Sequence, residues 1–524
     1  MAIVGAGPTG VYTLAGMLAA APSALSVDIF EKGACAGPGM PYSPDMNAPC
    51  MLSNIASREL PPVVTSLNDW LRSLDMSDLS GLGLAPGLIS DEAFYPRVAL
   101  GAYFTAQMAA LIAQGRRQGH RIELHLRHAV TDVRPREAGI EVSWTFPGGT
   151  SGAVFADVVL ATGHRWPDSV EEGGVMLQSP WPAEKIARLP EERIGVLGSS
   201  LSAIDVAVTV ASARGRFAEA GGALRYEAQQ GRGGFRLSLM SRKGLLPEAD
   251  YWYELPLPEL RRLAAIAGEA TARSDGTLLE RAYGAFLDDF HDADPDWLAA
   301  LGGADLPRDE FAAAYFAPRL AADPFDWARK NLAVAERTVA EKRPTPWRSA
   351  LLRAHELFEG LVPRLTDAEL EAFHDTLKPV FTDSYACVPH ASIRRLLALH
   401  EAGVLEVIRL GSDSRLVDGP GGPAVEYGGR RAEFEIVVDA RGQRPMTLAD
   451  LGFPSLAEGD LLSGPLRFDE FVLPLRSSSP GRIHCVALPA LLRRHPFVQG
   501  LVNASEMGGA TAGAILRAMR ETGH

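Results

Sequence analysis

Four cysteines in 524 residues, at positions 35, 50, 387 and 485, leave little room for thiol chemistry. No two are spaced C-x-x-C, which excludes a thioredoxin-type redox pair and gives no support to a metal site. Isolated thiols suit a reducing cytoplasm, the expected location. Positive charge is also short. Lys and Arg number 51 against 64 Asp and Glu, a net charge of -13. No cationic excess exists to neutralise phosphates, so nucleic acid is excluded as the main partner. Small anionic ligands remain open, because they need only a local pocket. The longest apolar runs stop well short of the ~20 residues of a membrane span. No basic n-region or cleavage site marks a signal peptide, although a first strand at residue 2 suggests that a few residues precede it. The balance, 47% hydrophobic and 22% charged, is that of an ordinary globular chain. Its length suits two or three domains.

What is present begins at once. Ala2-Ile3-Val4 is a short apolar run, and Gly5, Gly7 and Gly10 complete G-x-G-x-x-G around Pro8 and Thr9. Residues 11–21 read as an alanine-rich helix and 25–30 as a second strand ending in Glu31, with Lys32 beside it. This strand–turn–helix–strand order is the context the dinucleotide fingerprint requires. Gly5 permits the tight turn, Gly7 lets a pyrophosphate approach the backbone, and Gly10 lets helix and strand pack. The helix N-terminus offers free N–H groups and a positive dipole. Glu31 lies 21 residues after Gly10, where a carboxylate can accept from ribose hydroxyls. A fingerprint that opens the chain, with a second site to follow, points to FAD.

The second site is degenerate. Residues 193–197 form a strand, followed by Gly198-Ser199-Ser200-Leu201-Ser202-Ala203 and a helix over 204–211. Gly198 keeps the turn, while Ser200 and Ala203 replace the second and third glycines with small residues. The next strand, 235–241, ends in Ser241-Arg242-Lys243. Two cations stand where an NAD site would place an acid, which suits the 2′-phosphate of NADPH. Residues 212–234 read as a helix extension plus an irregular insert. Two further buried strands end in glycine turns: Leu160-Ala161-Thr162-Gly163 and Asp439-Ala440-Arg441-Gly442. In the tail, Gly508 and Gly509 open a small-residue helix whose N-terminus would meet the flavin closely or pack tightly on another helix.

At these residues the chain resembles the two-dinucleotide flavoproteins of the flavin-containing and N-hydroxylating monooxygenase type. The resemblance implies an α/β fold of two Rossmann-like domains, for FAD and NADP, with Gly163 and Gly442 marking crossings between them. Arg441, where such turns usually carry Thr, is a departure. The missing C-x-x-C separates the chain from disulfide reductases of the same architecture. Gly37-Pro38-Gly39-Met40-Pro41-Tyr42-Ser43, Met51-Leu52-Ser53-Asn54 and Phe94-Tyr95-Pro96-Arg97 are similar to the bacterial group that includes nitrosuccinate-forming aspartate N-monooxygenases. That likeness implies N-oxygenation of a small amino-acid-like amine by O2 and NADPH, through an oxygen adduct at flavin C4a, with L-aspartate as the specific substrate. Alternatives are S-oxygenation, Baeyer–Villiger oxygenation, or a flavin reductase or oxidase without oxygen insertion.

The expected map is FAD-binding over 1–190 and 431–524, NADP-binding over 191–246 and 381–430, and an α-helical insertion over 247–380. Asn54 is expected at the flavin or substrate, and Arg58 as a carboxylate clamp. Arg97 either binds FAD phosphate or packs structurally. Arg343, Arg348 and Lys378 in the insertion are candidate anion partners. No metal is expected, no membrane partner, and a homodimer is left open.

Overall fold

The computed structural model describes residues 1–229, 231, 234–269, 274–457, 463, 470–476 and 479–521. The chain divides into two compact units. The first comprises Met1–Pro49, Ile55–Arg165 and Gln443–His524. Its centre is a parallel sheet in the order Arg482–Cys485, Asp157–Leu160, Ala2–Val4, Ser26–Glu31, Arg121–Leu126. Ala2, Ile3, Val158, Val159 and Leu160 are fully buried. Such unbroken apolar runs are what a sheet covered on both faces requires. Helices Pro8–Ala20, Arg97–Arg117 and Leu501–Glu521 belong to this unit, as does an antiparallel meander over Ala129–Arg136, Gly139–Phe146 and Gly149–Phe155. Buried Asp157 is held by Arg482 at 2.7 and 2.9 Å and by His484 at 3.3 Å, joining two neighbouring strands. Arg97–Arg117 is the one described helix long and apolar enough to cross a membrane, and 56% of its apolar window is buried inside the protein.

The first and last helices approach through small residues. A Cβ on Gly16 would lie 2.9 Å from that of Ala512, and one on Gly508 would lie 2.7 Å from the Thr13 nitrogen. Gly508 is therefore spent on helix packing, not on the flavin, because the backbone of Tyr12 and Thr13 already fills its open side. Gly509 is exposed and faces open space.

The second unit comprises Cys50–Asn54 and Trp166–Gly442. Its sheet runs Leu405–Arg409, Arg236–Ser241, Arg193–Leu197, Ile436–Asp439, Val175–Gln178, Ser169–Glu172, parallel except for the last strand. Two strands expected with the FAD-binding segments, Val175–Gln178 and Ile436–Asp439, lie here instead. A buried apolar run looks the same in either sheet; pairing with Arg193–Leu197 decides where Ile436–Asp439 belongs. The expected irregular insert after Arg214 is a hairpin, Gly215–Ala220 with Ala223–Ala228. Its turn is Gly221-Gly222, both at positive φ, the conformation a two-residue hairpin needs.

The expected helical insertion is present, from Arg261–Gly268 to Lys378–Tyr385. Helix Pro324–Glu341 has the expected bounds. Asp323 caps it by accepting from the Phe325 and Asp326 nitrogens, and Pro324 occupies its first turn. The insertion is built around aromatic rings: buried Phe286 meets Phe290, Phe311, Phe358 and Phe381 within 6.2 Å. The fold is thus α/β, with two Rossmann-like units and an α-helical insertion.

Candidate dinucleotide sites

In the first unit, Gly5 has φ +101° and donates its N–H to Phe30 O at 2.8 Å. A Cβ there would sit 2.2 Å from Ala161 O, and one on Gly10 would sit 2.4 Å from Gly5 O. Neither position tolerates a side chain. A Cβ on Gly7 would lie 3.2 Å from the Gly39 Cα, and Gly37 donates its N–H to Ala6 O at 2.7 Å, so residues 37–39 brace the loop. Pro8 occupies the first turn of the helix and no side chain caps it, which leaves its N–H groups to a ligand. Thr9 O accepts from Thr13 Oγ1 at 2.8 Å. The Glu31 carboxylate accepts from Ala6 N at 3.1 Å and Gly33 N at 2.8 Å, which fixes the acid beside the glycine loop. Lys32 is exposed. Gly163 has φ +65° and open space around it. Tight turn, uncapped helix and placed acid fit the diphosphate and ribose of FAD.

The second unit repeats the plan. Gly198 has φ +120°, and its Cβ would lie 2.6 Å from Ala440 O. Ser200 is exposed at the N-cap of Leu201–Arg214 without capping it; Ser202 follows, half-buried. Ser199 departs from the expectation of a nucleotide contact. Its side chain is buried, 2.6 Å from Leu245 O and 3.0 Å from Ser241 Oγ, because it anchors the loop that follows the next strand. The two expected phosphate cations are also divided. Arg242 is exposed. Lys243 is half-buried with Nζ 3.4 Å from the centroid of the Phe316 ring. Burial brings its pKa down to about 8, against the opposing charge of Asp383. Arg441, the departure at the turn before Gly442, is structural: it forks onto Glu172 at 3.0 and 2.6 Å and reaches Asp439 at 2.8 Å. Gly442 keeps φ +96° and open space.

The remaining candidates fall in both units. Asn54 is half-buried in the second unit's short segment Cys50–Asn54. Arg58 is half-buried in the turn Ser57–Glu59, where its N–H donates to Asp91 O at 2.8 Å. Arg97 opens helix Arg97–Arg117. In the insertion Arg343 is exposed, and Lys378 is half-buried with its pKa lowered by that burial. Arg348 is already neutralised: it binds Glu248 and lies over the rings of Tyr251 and Trp347.

Arg348 belongs to a buried network that sequence reasoning missed. Glu248 also accepts from Trp327 Nε1 at 2.9 Å. Arg319 pairs with Asp383 at 2.5 Å and donates to Leu246 O at 2.6 Å, and the Tyr315 hydroxyl meets Asp383 at 3.0 Å. Burial raises the Asp383 pKa despite Arg319. No spacing in the sequence links these residues. His164 was also missed, although it directly follows the Gly163 turn. Among the described residues no His, Cys, Asp and Glu group could hold a metal.

Two glycine turns of one design, one beside an acid and the other beside cations, define a flavoprotein of the two-dinucleotide class. Residues 2–165 match the FAD-NAD(P)-binding family, and 263–385 match the YdhS-like middle domain. The chain is 37% identical over 525 residues to YdhS of Escherichia coli (strain K12), across 99% of this chain and 97% of the relative. It belongs to the YdhS family. Among solved structures it is similar to reduced ornithine hydroxylase PvdA from Pseudomonas aeruginosa, with a TM-score of 0.53, 14% identity and coverage of 99% and 98%. L-lysine 6-monooxygenase from Pseudomonas syringae gives 0.50, 14%, and 99% of each chain. DfoA bound to FAD, a cadaverine monooxygenase from Erwinia amylovora, gives 0.50, 14%, and coverage of 100% and 94%. At these identities the likeness is one of fold.

Proposed function

We propose that this chain is an FAD-dependent, NADPH-consuming monooxygenase that N-oxygenates a small amino-acid-like amine. The observation that carries the reading is the pairing, in one chain, of an acid-ended and a cation-ended dinucleotide loop. All four cysteines are free, so no disulfide is present to take up the electrons. Three similar folds bear the names of an ornithine hydroxylase, an L-lysine 6-monooxygenase and a cadaverine monooxygenase. Bound FAD would supply the redox chemistry, taking electrons from NADPH and activating O2. The chain's residues bind and orient. The uncapped helix at Pro8 faces the diphosphate, Glu31 holds ribose hydroxyls, and Arg242 attracts the 2′-phosphate. For the substrate, Arg343 and Lys378 are cations suited to a carboxylate, with Asn54 and Arg58 as further contacts. Arg348 is the weaker choice, because Glu248 already holds it.

The specific substrate proposed is L-aspartate, converted to nitrosuccinate. Purified FAD-loaded protein is incubated with NADPH in air and L-aspartate, with ornithine, lysine and cadaverine as comparators. An N-hydroxy or nitro product formed in step with NADPH supports the reading. A comparator oxidised in place of aspartate moves the substrate only. Peroxide formation independent of every amine overturns N-oxygenation and leaves the flavoprotein class standing.

A further inference from the structure

Several side-chain polar atoms of the first unit are buried with no hydrogen-bond partner among the described residues, and one of them lies at the end of a central strand. Nδ1 of His164 is buried and has no hydrogen-bond partner among the described residues. Such an atom calls for a partner such as a ligand or a water, because an unmade buried hydrogen bond is costly. The position is telling. His164 follows Gly163 in the turn that leaves strand Asp157–Leu160. The same turn covers Gly5, whose absent Cβ would sit 2.2 Å from Ala161 O and 3.3 Å from Thr162 Cα. That strand pairs in parallel with Ala2–Val4. His164 therefore stands at the carboxyl ends of the strands, where open α/β sheets bind their ligands.

The chemistry is restricted as well. Burial lowers the His164 pKa to about 4, and the nearby charge of Arg97 acts in the same direction. The ring is neutral at pH 7 and carries one N–H. A guanidinium beside it repels a cationic ligand. An imidazole donor and a guanidinium together suit an oxygen that bears negative charge.

We propose that His164 is a flavin-binding residue. It donates from Nδ1 to a negatively charged oxygen of the bound FAD, with Arg97 adding its charge. That oxygen belongs either to the diphosphate or to the ring carbonyl that gains charge on reduction. The inference rests on the FAD assignment of the first loop and not on N-oxygenation.

The test uses the full chain stripped of flavin. Oxidised FAD is titrated into wild type, His164→Ala and His164→Asn, followed by fluorescence, and the midpoint potential of each loaded protein is measured. The Ala variant should bind FAD about tenfold more weakly or worse, as expected for a lost hydrogen bond to a charged group. The Asn variant keeps a short N–H donor and should recover part of the loss. An unchanged potential assigns the contact to the diphosphate; a fall in potential assigns it to the ring. In wild type labelled with 15N-histidine, the Nδ1 signal of His164 should shift on adding FAD. Wild-type affinity and potential in His164→Ala, with no such shift, overturn the proposal. A wild-type chain that binds no FAD overturns the flavin assignment itself.

Discussion

The two units solve the same problem with the same turn. Gly5 sits against Ala161 O, and Gly198 against Ala440 O. Each turn is followed two residues beyond that alanine by a positive-φ glycine, Gly163 or Gly442. In each unit the strand on the other side ends in a side chain tied to the loop: Glu31 to Ala6 in the first, Ser241 to Ser199 in the second. The differences lie around that frame. The first unit places a carboxylate at the strand end, and the second a hydroxyl followed by Arg242. On the proposed reading the backbone design makes a dinucleotide site, and the side chain at the strand end selects the nucleotide. A carboxylate accepts from a ribose hydroxyl and repels a 2′-phosphate; a hydroxyl with an exposed guanidinium does the reverse.

Four experiments test whether the two turns differ in this way. The largest effect is expected from valine at the two turns, where a branched side chain meets both a positive φ and a carbonyl oxygen. Gly5→Val should lose bound flavin, and Gly198→Val should lose NADPH binding while keeping flavin. Flavin absorbance and calorimetric titration read both, and loss of flavin in both variants would show that the two sites are not separable. Next, Glu248→Ala leaves Arg348 buried without its charge partner and should destabilise the second unit by about 3–5 kcal/mol. Denaturant unfolding measures this, and an unchanged midpoint would show that the network adds no stability. Third, Arg242→Ala should weaken NADPH by about tenfold, the scale of one charge-assisted contact, and leave NADH nearly unaffected. Equal losses for both nucleotides would remove the 2′-phosphate from Arg242. Smallest is a pH effect. Lys243 is protonated below about 8 and loses its charge above it. If its charge reaches the phosphate, the preference for NADPH over NADH falls as pH rises through 8, and Lys243→Met flattens that profile. A profile already flat in wild type leaves Arg242 as the whole determinant.

Much of this molecule was legible in its residues. Both glycine turns, the strands around them and most insertion helices follow from local rules: glycine where φ is positive, apolar runs for buried strands, proline and aspartate at helix starts. The hairpin at Gly221-Gly222 was not read, because its polar, glycine-rich surroundings masked the turn signal. Less of the side-chain chemistry was readable. Ser199 and Lys243 sit in the expected motifs yet turn toward the protein, and Gly508 packs on a helix. Arg348 is a cation in sequence and half of a neutral pair in the fold.

The division has a physical reason. Backbone turns are fixed by steric rules acting over a few residues, so two glycine turns of the dinucleotide-loop type could be read from local residues alone. Whether a charge is free or already answered depends on residues distant in the chain, as with Glu248 and Arg348, 100 positions apart. Which sheet a buried strand joins depends on pairing, as with Ile436–Asp439. The folded chain settles those, and it alone shows that His164 Nδ1 is buried with no hydrogen-bond partner among the described residues.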